Sequence, residues 1–234
     1  MAPELGLGNS VSAEPVSTLI LGNTYSVQFD GTNDYVDTGF TPNFIHTNAT
    51  LSFWCNMDNF TSGQTLGCHN AKRFYCGFSG TTAKMGVQNQ YKYSVDISAH
   101  IATGTWMNIA LVAEGGTATY YVNGVSRDTM SYTQSTMYNP DKSFLIGAVN
   151  NASVESYMDG NIDELAIFDS ALSASQIASI YNGGKPQSLA SYNPVGWWRM
   201  GDNDGATGST ITDQGSGGNN GTLTNAPVFS VSIP

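Results

Sequence analysis

From Trp106 to Gly124 the chain carries two runs rich in β-branched, aliphatic and aromatic residues, Trp106–Ala113 and Thr117–Val122, parted by Glu114-Gly115-Gly116 and closed by Asn123-Gly124. An Asn-Gly step supplies the positive φ values that a type I′ turn requires, so the two runs are predicted to pair antiparallel. A hairpin of this kind cannot bury its apolar face alone and must pack on more sheet.

The rest of the chain offers that sheet. Tyr25–Phe29, the turn Asp30-Gly31-Thr32-Asn33 and Tyr35–Thr38 form a first predicted hairpin. Leu51, Phe53, Cys55 and Met57 alternate with Ser52, Trp54, Asn56 and Asp58, the period of a strand with one apolar face, with Trp54 the exception on the other side. Gln64–Cys68 and Arg73–Phe78 flank a four-residue link, and Lys84–Asn89, Tyr91–Ile97, Phe144–Ala148, Ile162–Phe168, Val195–Met200 and Val228–Ile233 are further strand candidates. One helix is predicted over Ser173–Tyr181: Ser173 and Gln176 make a capping box, Leu172 and Ile177 a staple, and Gly183 a C-terminal stop. The expected fold is all-β, two antiparallel sheets packed as a sandwich, with one short helix. Residues 1–22 lack any period and read as an extended arm, 23–184 as the sandwich, and 185–234 as a strand segment too short for a core of its own.

Charged residues are only 11% of the 234, and acidic residues outnumber basic ones 18 to 8 for a net charge of −10. Counterion release from phosphates therefore cannot drive binding, and nucleic acid is excluded as an expected partner. No apolar run approaches the ~20 residues of a membrane span, and Met1–Asn9 has neither the basic start nor the apolar stretch of a cleavable signal. Cys55, Cys68 and Cys76 are odd in number, so reduced thiols are expected. Cys68-His69 with Cys76 lacks the fourth ligand of a zinc site.

Four motifs, Val27-Gln28-Phe29-Asp30-Gly31-Thr32-Asn33-Asp34-Tyr35-Val36, Leu51-Ser52-Phe53-Trp54, the Trp106 hairpin ending at Asn123-Gly124, and Gly160-Asn161-Ile162-Asp163-Glu164-Leu165-Ala166-Ile167-Phe168 followed by Ala171-Leu172-Ser173, stand in this order. Together they resemble the laminin G-like, concanavalin A-like jelly rolls, in particular their bacterial and phage branch. Asn108 stands where that family often has His, and the segment Gly196-Trp197-Trp198-Arg199-Met200-Gly201-Asp202, which usually opens such a domain, here closes the chain. A permuted strand order, in which this piece completes the same sandwich, is the expectation.

The resemblance implies a structural Ca²⁺ held by Asp30 with its turn and by Asp163, and Asn33 and Asp34 add the oxygen donors calcium prefers. The same residues are also ordinary turn formers. The nearest match to the paired carboxylates of the fold's glucanases is Asp159, Asn161 and Asp163, whose short arms do not converge readily to the ~5 Å of a retaining pair. His46, His69 and His100 have no nucleophile at a diagnostic spacing, so no enzyme is expected. Aromatic faces that stack on sugars are the alternative currency of binding, and Tyr91, Tyr93, Tyr132, Tyr138 and Trp197 are the candidate ligand contacts. Many such rings simply fill a core. The arm, the reduced thiols and the apolar tail, with the resemblance to the phage branch, point to a homo-oligomeric decoration protein on a virion surface that meets other virion proteins and a host glycan. A carbohydrate-binding adhesion module at a cell surface is the second expectation.

Overall fold

The computed structural model describes residues 22–42, 48–60, 64–69, 74–80, 82–87, 90–94, 99–133, 142–150 and 153–234. Nearly all of the predicted arm, and Tyr138 with it, lie outside these residues. In chain order the strands are β1 (Ser26–Asp30), β2 (Tyr35–Asp37), β3 (Ala49–Met57), β4 (Gln64–His69), β5 (Phe74–Ser79), β6 (Thr82–Val87) and β7 (Gln90–Ser94). After them come β8 (Trp106–Glu114), β9 (Thr117–Val122), β10 (Val125–Ser131), β11 (Phe144–Ile146), the short β12 (Val149–Asn150) and β13 (Val154–Glu155), and the long β14 (Asp159–Phe168). Helix α1 (Ala174–Tyr181) precedes β15 (Gly196–Trp198), β16 (Thr210–Ile211), β17 (Gly221–Thr224) and β18 (Val228–Ser230).

Every pairing between strands is antiparallel. One sheet runs β10-β9-β8-β3-β14-β1-β18 with β15 also on β14, and the other runs β16-β17-β2-β11-β4-β5-β6-β7. Their facing surfaces share one core, in which Phe29, Leu51, Phe53, Met57, Ile109 and Tyr120 of the first sheet meet Phe74, Phe78, Met85, Phe144 and Ile211 of the second. This is a jelly-roll sandwich. Trp198 spans the gap, its ring stacked on Phe144 at 6.5 Å between centroids.

The outer face of the first sheet is apolar too, which explains Trp54. Helix α1 lies over it, burying Ile177 and Ile180 against Ala110, Phe168 and Trp197, while Tyr181 stacks on Trp54 at 5.8 Å. The predicted capping box is present: Ser173 accepts from the Gln176 amide and the Gln176 side chain accepts from the Ser173 amide. The left-handed cap is Asn182 (φ 46°), one residue before the expected Gly183.

The turns at Gly115-Gly116 (φ 55° and 88°) and Asn123-Gly124 (φ 51° and 75°) have the positive dihedrals that the sequence demanded. The second leads into β10, a strand the apolar pattern missed because most of its side chains face solvent. Asp159-Gly160 opens β14, where Gly160 (φ 134°) lies against the Asn56 carbonyl of β3.

The C-terminal segment is integral to both sheets. β15 pairs with the second half of β14, β18 with β1, and β17 with β2. β1 takes the first half of β14, so β1 and β15 abut the same edge of one strand end to end.

Candidate functional site

The seam between β1 and β15 holds a buried charged cluster. The register of β14 shifts between Asp163 and Ala166, and Glu164 adopts a left-handed φ of 47°. This bulge turns two carboxylates toward the seam. Glu164 accepts from Arg199 Nε (2.8 Å) and Trp197 Nε1 (2.6 Å), and Arg199 Nη2 reaches Asp202 Oδ2 (2.9 Å) and the Gly22 carbonyl (3.0 Å). Asp202 Oδ1 accepts from the Thr24 and Tyr25 amides, and so fixes the entry to β1. Asp163 is fully buried and accepts from Asn23 Nδ2 (2.9 Å) and the Glu164 amide (2.7 Å). Burial, with the Glu164 charge beside it, pushes its carboxyl well above the usual carboxylate range.

Asp163 therefore does not stand beside Asp30. Asp30 pairs with Asp159, four positions back along β14, so about 13 Å of strand separates the two. Asp30 instead accepts from the Thr32 and Asn33 amides of its own turn, and the Asn33 carbonyl accepts from Asn225 Nδ2. What the fold gathers at this end is a different set. Asp30, Asp34 and Asp159 line a cleft of about 400 Å³ with Gln28, Asn225 and Val228. Burial and the Asp30 charge raise the Asp34 carboxyl, and burial with Asp58 raises Asp159, which is held by Asn59. One oxygen of Asp34, Oδ1, is buried without a hydrogen-bond partner. Among the described residues no three acidic, His or Cys side chains converge to hold a metal, so a calcium ion here would need carbonyl and water ligands as well.

The predicted aromatic contacts divide. Tyr132 is buried in the core, and Trp197 is buried beneath α1 with its Nε1 spent on Glu164, so neither presents a ring to solvent. Trp197 and Trp198, adjacent in β15, point to opposite faces, and each face is covered. Tyr91 and Tyr93 are half exposed, at 48% and 50%, with ring centroids 5.7 Å apart and planes at 88°. Both project from the outer face of the second sheet, because their cross-strand neighbours Gly86 and Lys84 alternate with the core residues Ala83, Met85 and Val87. Lys84, which the sequence reading did not single out, sets its Nζ 5.5 to 5.7 Å from the ring centroids of Tyr75, Tyr91 and Tyr93. The Tyr75 ring lies across Gly86, where a Cβ would come within 2.0 Å of it.

Beside this platform an open groove of about 560 Å³ separates the edge strands β7 and β10, lined by Gln90, Tyr91, Lys92, Thr129, Met130 and Ser131. Its ends are tied. Lys92 pairs with Asp128 at 2.7 Å, and Gln90 both donates to and accepts from the Thr133 backbone. Tyr91 is thus both part of the platform and the lip of the groove.

Known proteins supply the context. A protein of Bacteroides ovatus, described as a candidate carbohydrate-binding protein, superposes with a TM-score of 0.68 at 18% identity over 90% of this chain, which spans 60% of that one. A heptameric pentraxin of Limulus polyphemus gives 0.54 at 15% identity, covering 70% of this chain and 84% of its own. Domain 4 of an extracellular arabinanase of Geobacillus stearothermophilus, solved with arabinotriose, gives 0.50 at 21% identity, covering 67% and 76%. No curated protein matches the chain in sequence. At these identities the structures speak for the fold alone. The laminin G-3 family model, of the concanavalin A-like lectin/glucanases superfamily, matches residues 30–178, more than half of the chain, and the chain belongs to that family.

Proposed function

We propose that this chain is a non-catalytic carbohydrate-binding module whose ligand packs on Tyr91 and Tyr93 and enters the groove between β7 and β10. The observation that carries the reading is the exposed, mutually braced tyrosine pair on a sheet face that it shares with Lys84 and the buried Tyr75. Aromatic faces bind sugar rings with little loss of side-chain entropy, and the open groove provides polar groups to orient hydroxyls. Two of the similar structures belong to a candidate carbohydrate-binding protein and a domain solved with arabinotriose, which favours the same class of ligand. Support for the absence of catalysis comes from the carboxylates: Asp163 is sealed in the seam with both oxygens engaged, and Asp159 is bound to Asn59. The Tyr91→Ala/Tyr93→Ala variant is expected to lose at least about tenfold in affinity for a retained polysaccharide while its melting temperature stays unchanged. Affinity electrophoresis beside a thermal melt measures both, and equal retention of the variant would refute the site.

Structural calcium belongs, in this proposal, at the Asp30, Asp34 and Asp159 corner and not at Asp163. The unpartnered Asp34 Oδ1 supports it. A ligand that binds only the native state raises its melting temperature, so calcium is expected to stabilise metal-free protein and EDTA to reverse the gain; a flat response removes the ion.

Assembly on a surface, including that of a virion, is a second reading. It is favoured by one feature, the edge strand β18 with Val228 and the following Val231 exposed at 54% and 78%.

A further inference from the structure

Asn59 to Val95, the stretch that supplies β4 to β7, contains Lys72, Arg73, Lys84 and Lys92 and not one carboxylate, in a chain of 18 acidic and 8 basic residues. These strands therefore bring no negative charge of their own. Lys84 stands at the middle of its outer face, with three tyrosine rings around its ammonium and, among the described residues, no carboxylate paired to it. Lys92, by contrast, is directed to the groove side and is neutralised by Asp128. Rings hold a lysine in place through their quadrupoles without cancelling its charge, as a carboxylate would. An ammonium positioned in this way can still accept an anion at its solvent side.

We propose that the Tyr91/Tyr93 face selects anionic sugars, with a uronate carboxylate or a sulfate ester on the Lys84 ammonium and the sugar ring against the tyrosines. Neutral sugars lack the partner for Lys84 and gain only the ring contact. The net charge of −10 repels polyanions from the rest of the molecule, so orientation as well as affinity is set by this one face. The inference rests on the carbohydrate-binding reading above and names the ligand class of the same site.

The test is isothermal titration of the full chain with hexagalacturonate and its methyl ester, and with a heparin hexasaccharide and its desulfated, N-acetylated and carboxyl-reduced form. Each pair keeps the rings and changes the charge. The expected result is that at least one acidic member binds about tenfold or more tighter than its neutral counterpart, and that this preference weakens as salt rises. Lys84→Met is expected to abolish the preference without lowering the melting temperature, whereas Tyr91→Ala/Tyr93→Ala weakens both members. If neutral and acidic members bind alike, or if the preference survives in Lys84→Met, the inference falls and the carbohydrate-binding reading stands. Binding of no member overturns both. Oligothymidylate serves as the control for a general anion site: displacement of the acidic sugar by it at equal ionic strength would overturn the assignment to sugars.

Discussion

A carboxyl group taken out of water with no cation beside it is more stable protonated than charged, and Asp163 is in that position. Arg199 is shared between Glu164 and Asp202, so the single guanidinium cannot also neutralise Asp163. Asn23 Oδ1, buried and without a partner, is the natural acceptor for the Asp163 proton once the Asn23 amide is turned over. Because the folded pKa is raised, the contribution of this proton to stability is fully present below the ordinary carboxylate pKa and is lost as pH rises through the folded value. Asp34, Asp159 and Asp202 are shifted upward as well and act with the same sign. Asp163→Asn is therefore expected to fold with a stability within about 1 kcal/mol of the parent at acidic pH, and to lose less stability than the parent on the way to alkaline pH. Urea midpoints across that range measure it, and parallel profiles for the two proteins would show that Asp163 titrates normally.

At the scale of elements, β14 organises the first sheet, pairing with β3 along one edge and with β1 and then β15 along the other. Two local departures allow this. The bulge at Asp163-Glu164 opens the seam, and Gly160 lets β14 approach β3 where any side chain would strike the Asn56 carbonyl at 2.2 Å. With φ at 134°, a region that side-chain-bearing residues avoid, Gly160→Ala is expected to destabilise the fold by about 3 kcal/mol or more. Chemical denaturation of the variant is the check, and a loss below about 1 kcal/mol would mean that β14 shifts to make room. Helix α1 is a simpler case: caps at both ends are local, and two buried isoleucines dock it on the outer face of the sheet.

In the whole molecule the last strands complete the sandwich. Removing them would uncover Phe144 and Val36 in one sheet and the flank of β14 in the other. The closing strand β18 is also an edge, and its exposed Val228 and Val231 lie where a second copy could add. If the surface-assembly reading holds, the full chain sediments as an oligomer and Val228→Lys/Val231→Lys sediments as a folded monomer. A parent protein that is monomeric throughout the accessible concentration range would refute it.

Local rules settled much of this protein from its residues alone. The strand period of Leu51 to Met57, the Gly-Gly and Asn-Gly turns around Thr117–Val122, and the capping box at Ser173 each depend on neighbours close in sequence, and each is found in place. The exposed pair Tyr91 and Tyr93 was legible for the same reason, since alternate residues of a strand share a face. The polar edge strand β10 was not, because a strand with most of its side chains in solvent carries no apolar alternation. The candidate site was legible only in part, because burial and partnership are properties of distant chain segments brought together. Only folding decided that α1 covers Trp197, that Tyr132 faces inward, that Asp30 meets Asp159 across β1 and β14 while Asp163 meets Asn23, and that Lys84 stands among three tyrosines from the two strands beside its own. A pattern of residues identifies which groups can form a site, but cross-strand register determines which of them share a space.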